Sequence, residues 1–185
     1  LAYAREAGYT GWEVAPFMLT DDLSSFGTDK RVAYRKQVEA EGFEITGLHW
    51  LLAKTQGLHL TTLDSETRAR TTEYLKDLAR LCSDLGGKVM VLGSPQQRNV
   101  PDDQSMQSAM ENAAEVIRAV VPVLEETQVQ IALEPLGHEE GNFLLTAAKG
   151  RELQSTIGSE PVQLHLDVKA MSDEEPPIAQ IIRDN

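Results

Sequence analysis

The sequence predicts an α/β protein of the (β/α)₈-barrel class, present as a partial chain with about five of the eight units. Three observations carry this. Strand-like apolar runs alternate with helical stripes throughout, and such alternation gives a parallel sheet joined by right-handed crossovers. No Gly-rich phosphate fingerprint follows any strand, which argues against a doubly wound dinucleotide fold. Polar residues stand where strands end, at Glu13, His49, Ser94, Glu134 and Asp167, and a barrel active site is assembled from the C-terminal ends of many strands.

The elements follow in order. Residues 1–7 read as the end of an amphipathic helix closed by Gly8, and residues 11–16 as a strand running into a loop. Thr28 or Asp29 can cap a polar helix reaching Glu41, with Gly42 as its stop. Residues 43–50 form the next strand. Residues 51–64 exceed an ordinary βα loop of about 2–6 residues and predict a functional one. Leu75, Leu78, Cys82 and Leu85 recur three and four apart, marking a helix that Gly86-Gly87 ends. Residues 88–92 are a short strand broken by Gly93-Ser94-Pro95. Met106, Met110, Ala113, Ile117, Val120 and Leu124 form another helical stripe, read as core. Residues 129–133 are a strand ending at Glu134-Pro135. Residues 147–157 are a helix stopped by Gly158, and residues 162–166 a strand ending at Asp167. A last helix is expected from near Asp173, with Pro176 and Pro177 in its first turn. The chain opens and closes in helices, so the expectation is a single partial barrel domain, 1–185, spanning about strands two to six.

Seventeen basic and 29 acidic side chains give a formal charge of −12. Such a surface repels phosphate backbones, so nucleic acid is not an expected partner. Cys82 is the only cysteine, which excludes an intrachain disulfide and fits a reducing cytoplasm. No apolar run approaches the roughly 20 residues that span a bilayer, so no membrane association is expected.

Glu134 follows Ile131-Ala132-Leu133 and precedes Pro135, and Asp167 ends Val162-Gln163-Leu164-His165-Leu166. Each carboxylate alone reads equally as a solvated loop residue. Two at equivalent points of consecutive strands, which lie about 4.8 Å apart, can share a cation. Oxygen ligands suit Mg²⁺ or Mn²⁺, and an added histidine admits Mn²⁺, Co²⁺ or Zn²⁺. His165, two residues from Asp167, reads as a supporting or interior residue; His59 and His138 are loop residues without decisive context. Glu13 either lines a pocket or pairs with a lysine.

The run from Glu134 through Pro135, Leu136, Gly137, His138, Glu139, Glu140, Gly141 and Asn142 to Phe143 resembles the strand-five signature of the sugar phosphate isomerase/epimerase family, whose fold is a xylose isomerase-like TIM barrel. Leu164-His165-Leu166-Asp167 resembles its strand-six signature. Gly47-Leu48-His49-Trp50 and Gly57-Leu58-His59-Leu60 resemble its third strand and active-site loop. The resemblance implies metal binding by Glu134 and Asp167, substrate contact by Glu140, and a pocket lined by His49 and Trp50. It implies two further metal ligands, a His and a Glu, on strands seven and eight. Epimerases of the family usually carry a substrate-touching His three residues after the strand-six Asp. Here that position holds Ala170, and the neighbouring Lys169 is either a cation for substrate oxygens or a solvated loop residue.

The implied function is a metal-dependent isomerase or epimerase of a sugar, sugar phosphate or small hydroxycarbonyl compound, acting by ene-diolate proton transfer. Glu134 and Glu140 are its candidate catalytic residues, a divalent Mn, Mg, Co or Zn its cofactor, and a small carbohydrate its partner, with a homo-oligomer left open. The alternatives are a non-catalytic or degenerate sugar-binding barrel and an apurinic endonuclease-like metal hydrolase. The last needs several histidine ligands and a basic surface, and the charge of −12 opposes it.

Overall fold

Strands β1 (Gly11–Val14), β2 (Glu44–Leu48), β3 (Val89–Leu92), β4 (Gln130–Leu133) and β5 (Val162–Leu164) lie side by side in chain order, each parallel to the next. They belong to a computed structural model that describes residues 2–185. The expected first residue of the opening helix, Leu1, lies outside the described residues. Helices α1 (Ala2–Glu6), α2 (Thr28–Ala40), α3 (Ser65–Asp84), α4 (Met106–Thr127) and α5 (Ala147–Ile157) alternate with the strands. Two short helices, α6 (Val168–Met171) and α7 (Ile178–Asp184), follow β5. This is a partial (β/α)₈ barrel. Because every strand runs the same way, all the strand exits open on one edge of the sheet, where a barrel keeps its chemistry.

Burial explains the sequence pattern. Met90 and Leu92 of β3 and Ile131 and Leu133 of β4 are buried, as expected for parallel strands covered on both faces. Leu75, Leu78, Cys82 and Leu85 of the α3 stripe are fully buried, as are Ala113, Ile117, Val120 and Leu124 of α4. Truncating one such leucine to alanine costs about 2–5 kcal/mol. Met106 departs from the core stripe: it opens α4 and is exposed, while Met110 one turn later is buried. Gly47 permits the close approach of β2 to β3, since a Cβ there would overlap the carbonyl oxygen of Val89.

Side chains set the helix starts. Asp64 accepts from the amides of Glu66 and Thr67 at the head of α3, Ser105 from Ser108 at α4, and Thr146 from Lys149 at α5. Each such cap is worth about 1 kcal/mol. At α2 the cap is Gly27 rather than Thr28 or Asp29.

Two expectations near the C-terminal end are corrected. The ladder of β5 stops at Leu164, although the His165 amide still donates to the Leu133 carbonyl at 2.8 Å. Asp167 is then the N-cap of α6, a helix the apolar pattern did not signal. The final helix begins at Ile178, not near Asp173, and Pro177 is its extended N-cap with φ −57° and ψ 140°. A proline disfavours the helical conformation in the residue before it, so Pro177 pushes Pro176 out of a first turn.

The segment 51–64 is a folded loop. Leu51, Leu52 and Leu60 are buried. The Leu52 amide donates to Ser94 Oγ at 3.0 Å, the Leu60 amide to the Gln97 carbonyl at 2.7 Å, and Thr61 Oγ1 to the Arg98 carbonyl at 3.2 Å. Ser94, expected among the polar residues of the strand exits, is thus a buried support for the neighbouring loop. No described helix is long and apolar enough to cross a membrane.

Candidate metal and substrate site

Glu134 leaves β4 with its amide donating to the Leu92 carbonyl at 3.3 Å. Its side chain is half-buried. A Cβ on Gly93 would overlap Glu134 Oε2, so the glycine that breaks β3 also makes room for this carboxylate. Burial raises the Glu134 carboxyl above its ordinary value; His165 and Arg98 pull it down, and Asp167 and Glu140 push it up again. The charges of Asp167 and Glu140 thus act unfavourably on the Glu134 carboxylate, and a cation beside it would relieve that repulsion.

His165 stands with Nε2 3.6 Å from Glu134 Oε1, so it belongs to the site rather than the interior. Asp167 holds its carboxylate by accepting the Ala170 amide at 2.9 Å on Oδ1. Glu140 sits on a turn in which its amide donates to the Gly137 carbonyl at 3.0 Å. Lys169 Nζ meets Glu140 Oε1 at 3.0 Å. The carboxylate's hydrogen bond and charge hold the lysine's proton more tightly than usual. Two residues expected to contact substrate separately are thus joined as an ion pair between the turn after β4 and α6, so Lys169 is a helix residue rather than a loop one.

His49 and Trp50 belong to a second, aromatic cluster beyond β2. Trp50 is exposed, lies 5.8 Å from the His49 ring and stacks on Phe17 at 6.1 Å between centroids. Lys54 Nζ sits 4.2 Å from the centre of the Phe17 ring. Trp50 adopts φ 51°, a left-handed conformation that is rare for a bulky residue. A hollow of about 260 Å³ opens between Trp50, Ala53 and Lys54 and residues 94–97 of the β3 loop. Glu13 lies within β1, one residue before its end, is exposed, and has no ion pair among the described residues. His138 is exposed on the Glu140 turn. His59 donates its backbone amide to Thr71 Oγ1 at 2.9 Å, and burial lowers its imidazole pKa.

Ala170 does not leave an open space. It is 4% exposed and lines a hollow with Pro135, Ala147, Met171 and Glu174 that is too narrow for a water molecule. The packing around Ala170 therefore leaves no room for a substrate group at that position.

The residue that sequence reasoning missed is Arg98. It is 2% exposed, with Nη1 donating to the Leu92 carbonyl at 3.1 Å and Nη2 to the Glu134 carbonyl at 2.8 Å. Burial pulls its pKa down to about 10, against the attraction of Glu134 and Glu140, so it stays cationic at neutral pH. The loops that carry Arg98 and Glu140 are laced together. Asn99 Oδ1 accepts the Asn142 amide at 3.0 Å, and Asn142 Oδ1 accepts the Val100 amide at 2.7 Å.

Among the described residues no group of three or more His, Cys, Asp or Glu side chains is placed to hold a metal ion. Glu134 and Asp167 fit a hard divalent cation in kind, as carboxylates crowded at neighbouring strand exits, but not in number, because such ions take about six oxygen ligands.

The fold is that of a partial barrel, and comparison with known proteins agrees. The model of the xylose isomerase-like TIM barrel family matches residues 1–185, and the chain belongs to that family. It is 31% identical over 192 residues to an L-ribulose 3-epimerase of Mesorhizobium japonicum, covering 99% of this chain and 58% of that protein. It is 27% identical over 180 residues to a probable ketose 3-epimerase of Synechocystis, covering 93% of this chain and 57% of that protein. The chain thus spans less than two thirds of the length of these relatives. Among solved structures, a 3-keto-D-glucoside 4-epimerase from E. coli superposes with a TM-score of 0.81 at 19% identity, covering 100% of this chain and 68% of that one. An L-ribulose 3-epimerase superposes with a TM-score of 0.80 at 23% identity, covering 99% and 58%. At these identities the superpositions establish the fold.

Proposed function

We propose that the chain is a single partial-barrel domain of a metal-dependent sugar epimerase, which inverts a hydroxyl-bearing carbon beside a ketose carbonyl. The observation that carries the reading is the half-buried Glu134 carboxylate at a strand exit, crowded by Asp167 and Glu140 and flanked by His165. The names of the relatives, L-ribulose 3-epimerase and probable ketose 3-epimerase, support a ketose as the substrate class.

Glu134 and Asp167 would hold the cation, with further ligands supplied from outside the described residues. A divalent ion held by these residues would supply Lewis-acid polarisation of a carbonyl, which would acidify the neighbouring C–H. The chain's own residues do the rest. Glu134 takes or returns a proton from its place at the mouth of β4. The burial that raises its pKa makes it a stronger base than a surface carboxylate. Glu140 and Lys169 form a polar clamp that accepts and donates hydrogen bonds to substrate hydroxyls. Trp50 offers an aromatic face to a sugar ring, and His49 a polar edge. A proton transfer of this kind needs no nucleotide cofactor, in keeping with the lack of a Gly-rich fingerprint.

The test is hydrogen exchange. The complete protein, loaded with Mn²⁺, is incubated in D₂O with L-ribulose, D-fructose, D-tagatose and D-psicose. Deuterium should appear at C3 of at least one ketose, together with its C3 epimer. Metal binding without exchange into any of them would reject a ketose 3-epimerase. The absence of both metal and exchange would favour a non-catalytic barrel.

A further inference from the structure

We propose that Arg98 is a positioning residue for Glu134: its buried guanidinium ties the Glu134 backbone to the end of β3 and sets positive charge beside the carboxylate without occupying either carboxylate oxygen. The inference rests on the reading of Glu134 as a metal ligand.

The geometry has three parts. First, Arg98 follows the 3₁₀ turn Pro95–Gln97, and its own amide donates back to the Pro95 carbonyl at 3.1 Å. The turn folds the side chain back toward the strand exits that the loop has just left. Second, its two terminal nitrogens divide between Leu92, the last residue of β3, and Glu134, the first residue beyond β4. The Leu92 carbonyl also takes the Glu134 amide. The guanidinium therefore supplies the next cross-strand link after the ladder between β3 and β4 ends at Leu92 and Leu133. Arginine offers a rigid, planar fork of donors, and here it spans two carbonyls. Third, Arg98 makes no hydrogen bond to the Glu134 carboxylate, and the two charges attract at longer range.

That division suits a carboxylate that must bind a cation. A direct salt bridge would spend the oxygen lone pairs that a metal or substrate hydroxyl needs. Arg98 leaves both oxygens unspent: Oε1 faces His165 and Oε2 faces Gly93. A buried charge is costly unless paired and hydrogen-bonded, so a purely structural link between two carbonyls is more cheaply made by a neutral amide.

The test separates positioning from stability. Mn²⁺ is titrated calorimetrically, without substrate, into chelator-treated complete protein: wild type, Glu134→Ala, Arg98→Met and Arg98→Lys. Loss of a group that orients a metal ligand typically weakens metal binding about 10–100-fold, and Arg98→Met should show at least the lower figure. Arg98→Lys keeps the charge but reaches one carbonyl rather than two, so it should bind Mn²⁺ between wild type and Arg98→Met. If Arg98→Met does not fold, a folded Arg98→Lys that binds Mn²⁺ measurably more weakly than wild type supports the assignment. Wild-type Mn²⁺ affinity in a folded Arg98 variant overturns it, even where that variant melts lower. If Glu134→Ala binds Mn²⁺ as wild type does, or wild type does not bind it, the reading of Glu134 fails and the proposal falls with it. The Glu134→Ala arm thereby distinguishes the two failures.

Discussion

Gly93 and Glu134 face each other across the exits of β3 and β4 so closely that a Cβ on Gly93 would overlap Glu134 Oε2. The three nearest atoms it would meet all belong to the Glu134 side chain. A carboxylate swings away more readily than backbone moves. Gly93→Ala should therefore leave the fold intact and displace the carboxylate. A misplacement of about 1 Å near reacting atoms can cost about a hundredfold in rate. The variant should lose at least tenfold in epimerase turnover and in Mn²⁺ affinity, with only a small change in melting temperature. Wild-type turnover in Gly93→Ala would show that the Glu134 oxygens take no part.

The Glu140–Lys169 pair makes a different prediction, because Lys169 is exposed on α6. Exposed ion pairs add little to stability and weaken with salt. Lys169→Met should melt with the wild type. If the pair orients substrate hydroxyls, the variant should raise KM several-fold and change kcat less. A lower melting temperature with an unchanged KM would make the pair a surface tie between the Glu140 turn and α6.

The strand exits were legible because a barrel forces them to be: Ile131-Ala132-Leu133 buries on both faces, so the first polar residue after it, Glu134, marks the surface. The same logic located Asp167, although the apolar run through Leu166 overstated the strand by two residues. Asp167 caps a four-residue helix whose start depends on that one side chain, and no periodicity announces so short an element. Arg98 was illegible for a tertiary reason. In Gln96-Gln97-Arg98-Asn99 it reads as a polar loop residue, and only the turn at Pro95 folds it under the β3 and β4 exits. The one signal available was an arginine six residues beyond a buried strand, in a loop that also carries Gly93. Pairing between Glu140 and Lys169 was equally out of reach, since it joins a turn to the short helix α6 through side chains alone.

Cys82 allows a prediction about pH. Its thiol is fully buried in α3, and burial pushes its pKa up from 9.0 to about 12. An acid whose folded pKa is raised contributes stability that is complete below the unfolded value and is lost as pH rises through the folded one. The loss should run from about pH 9 toward about 12. In denaturant titrations, wild type should lose stability more steeply over that window than Cys82→Ala, with the difference vanishing below pH 8. In the native protein at pH 8 the thiol should not react with a disulfide reagent, and unfolding should release it. Rapid reaction of the native protein would show that α3 opens locally.

Glu134 places stability and function in opposition. Burial, with Asp167 and Glu140 nearby, raises its pKa despite His165 and Arg98. The sign follows from linkage: the protonated form is favoured by folding, so that contribution is complete below about 4.5 and is lost as pH rises through the raised folded value. Toward neutral pH, folding of the metal-free protein therefore disfavours the charged form of this carboxylate. Glutamine has nearly the same shape and no charge to desolvate. In chelator-treated buffer at pH 7, Glu134→Gln should melt above wild type, and the gap should close as pH falls toward 4. Adding Mn²⁺ should reverse the order, because a cation that binds only the folded carboxylate stabilises wild type in proportion to its saturation, and the variant should respond weakly. A Glu134→Gln protein that melts below wild type without metal would mean that the carboxylate holds the fold through its charge to Arg98 and His165, rather than being held ready for a cation.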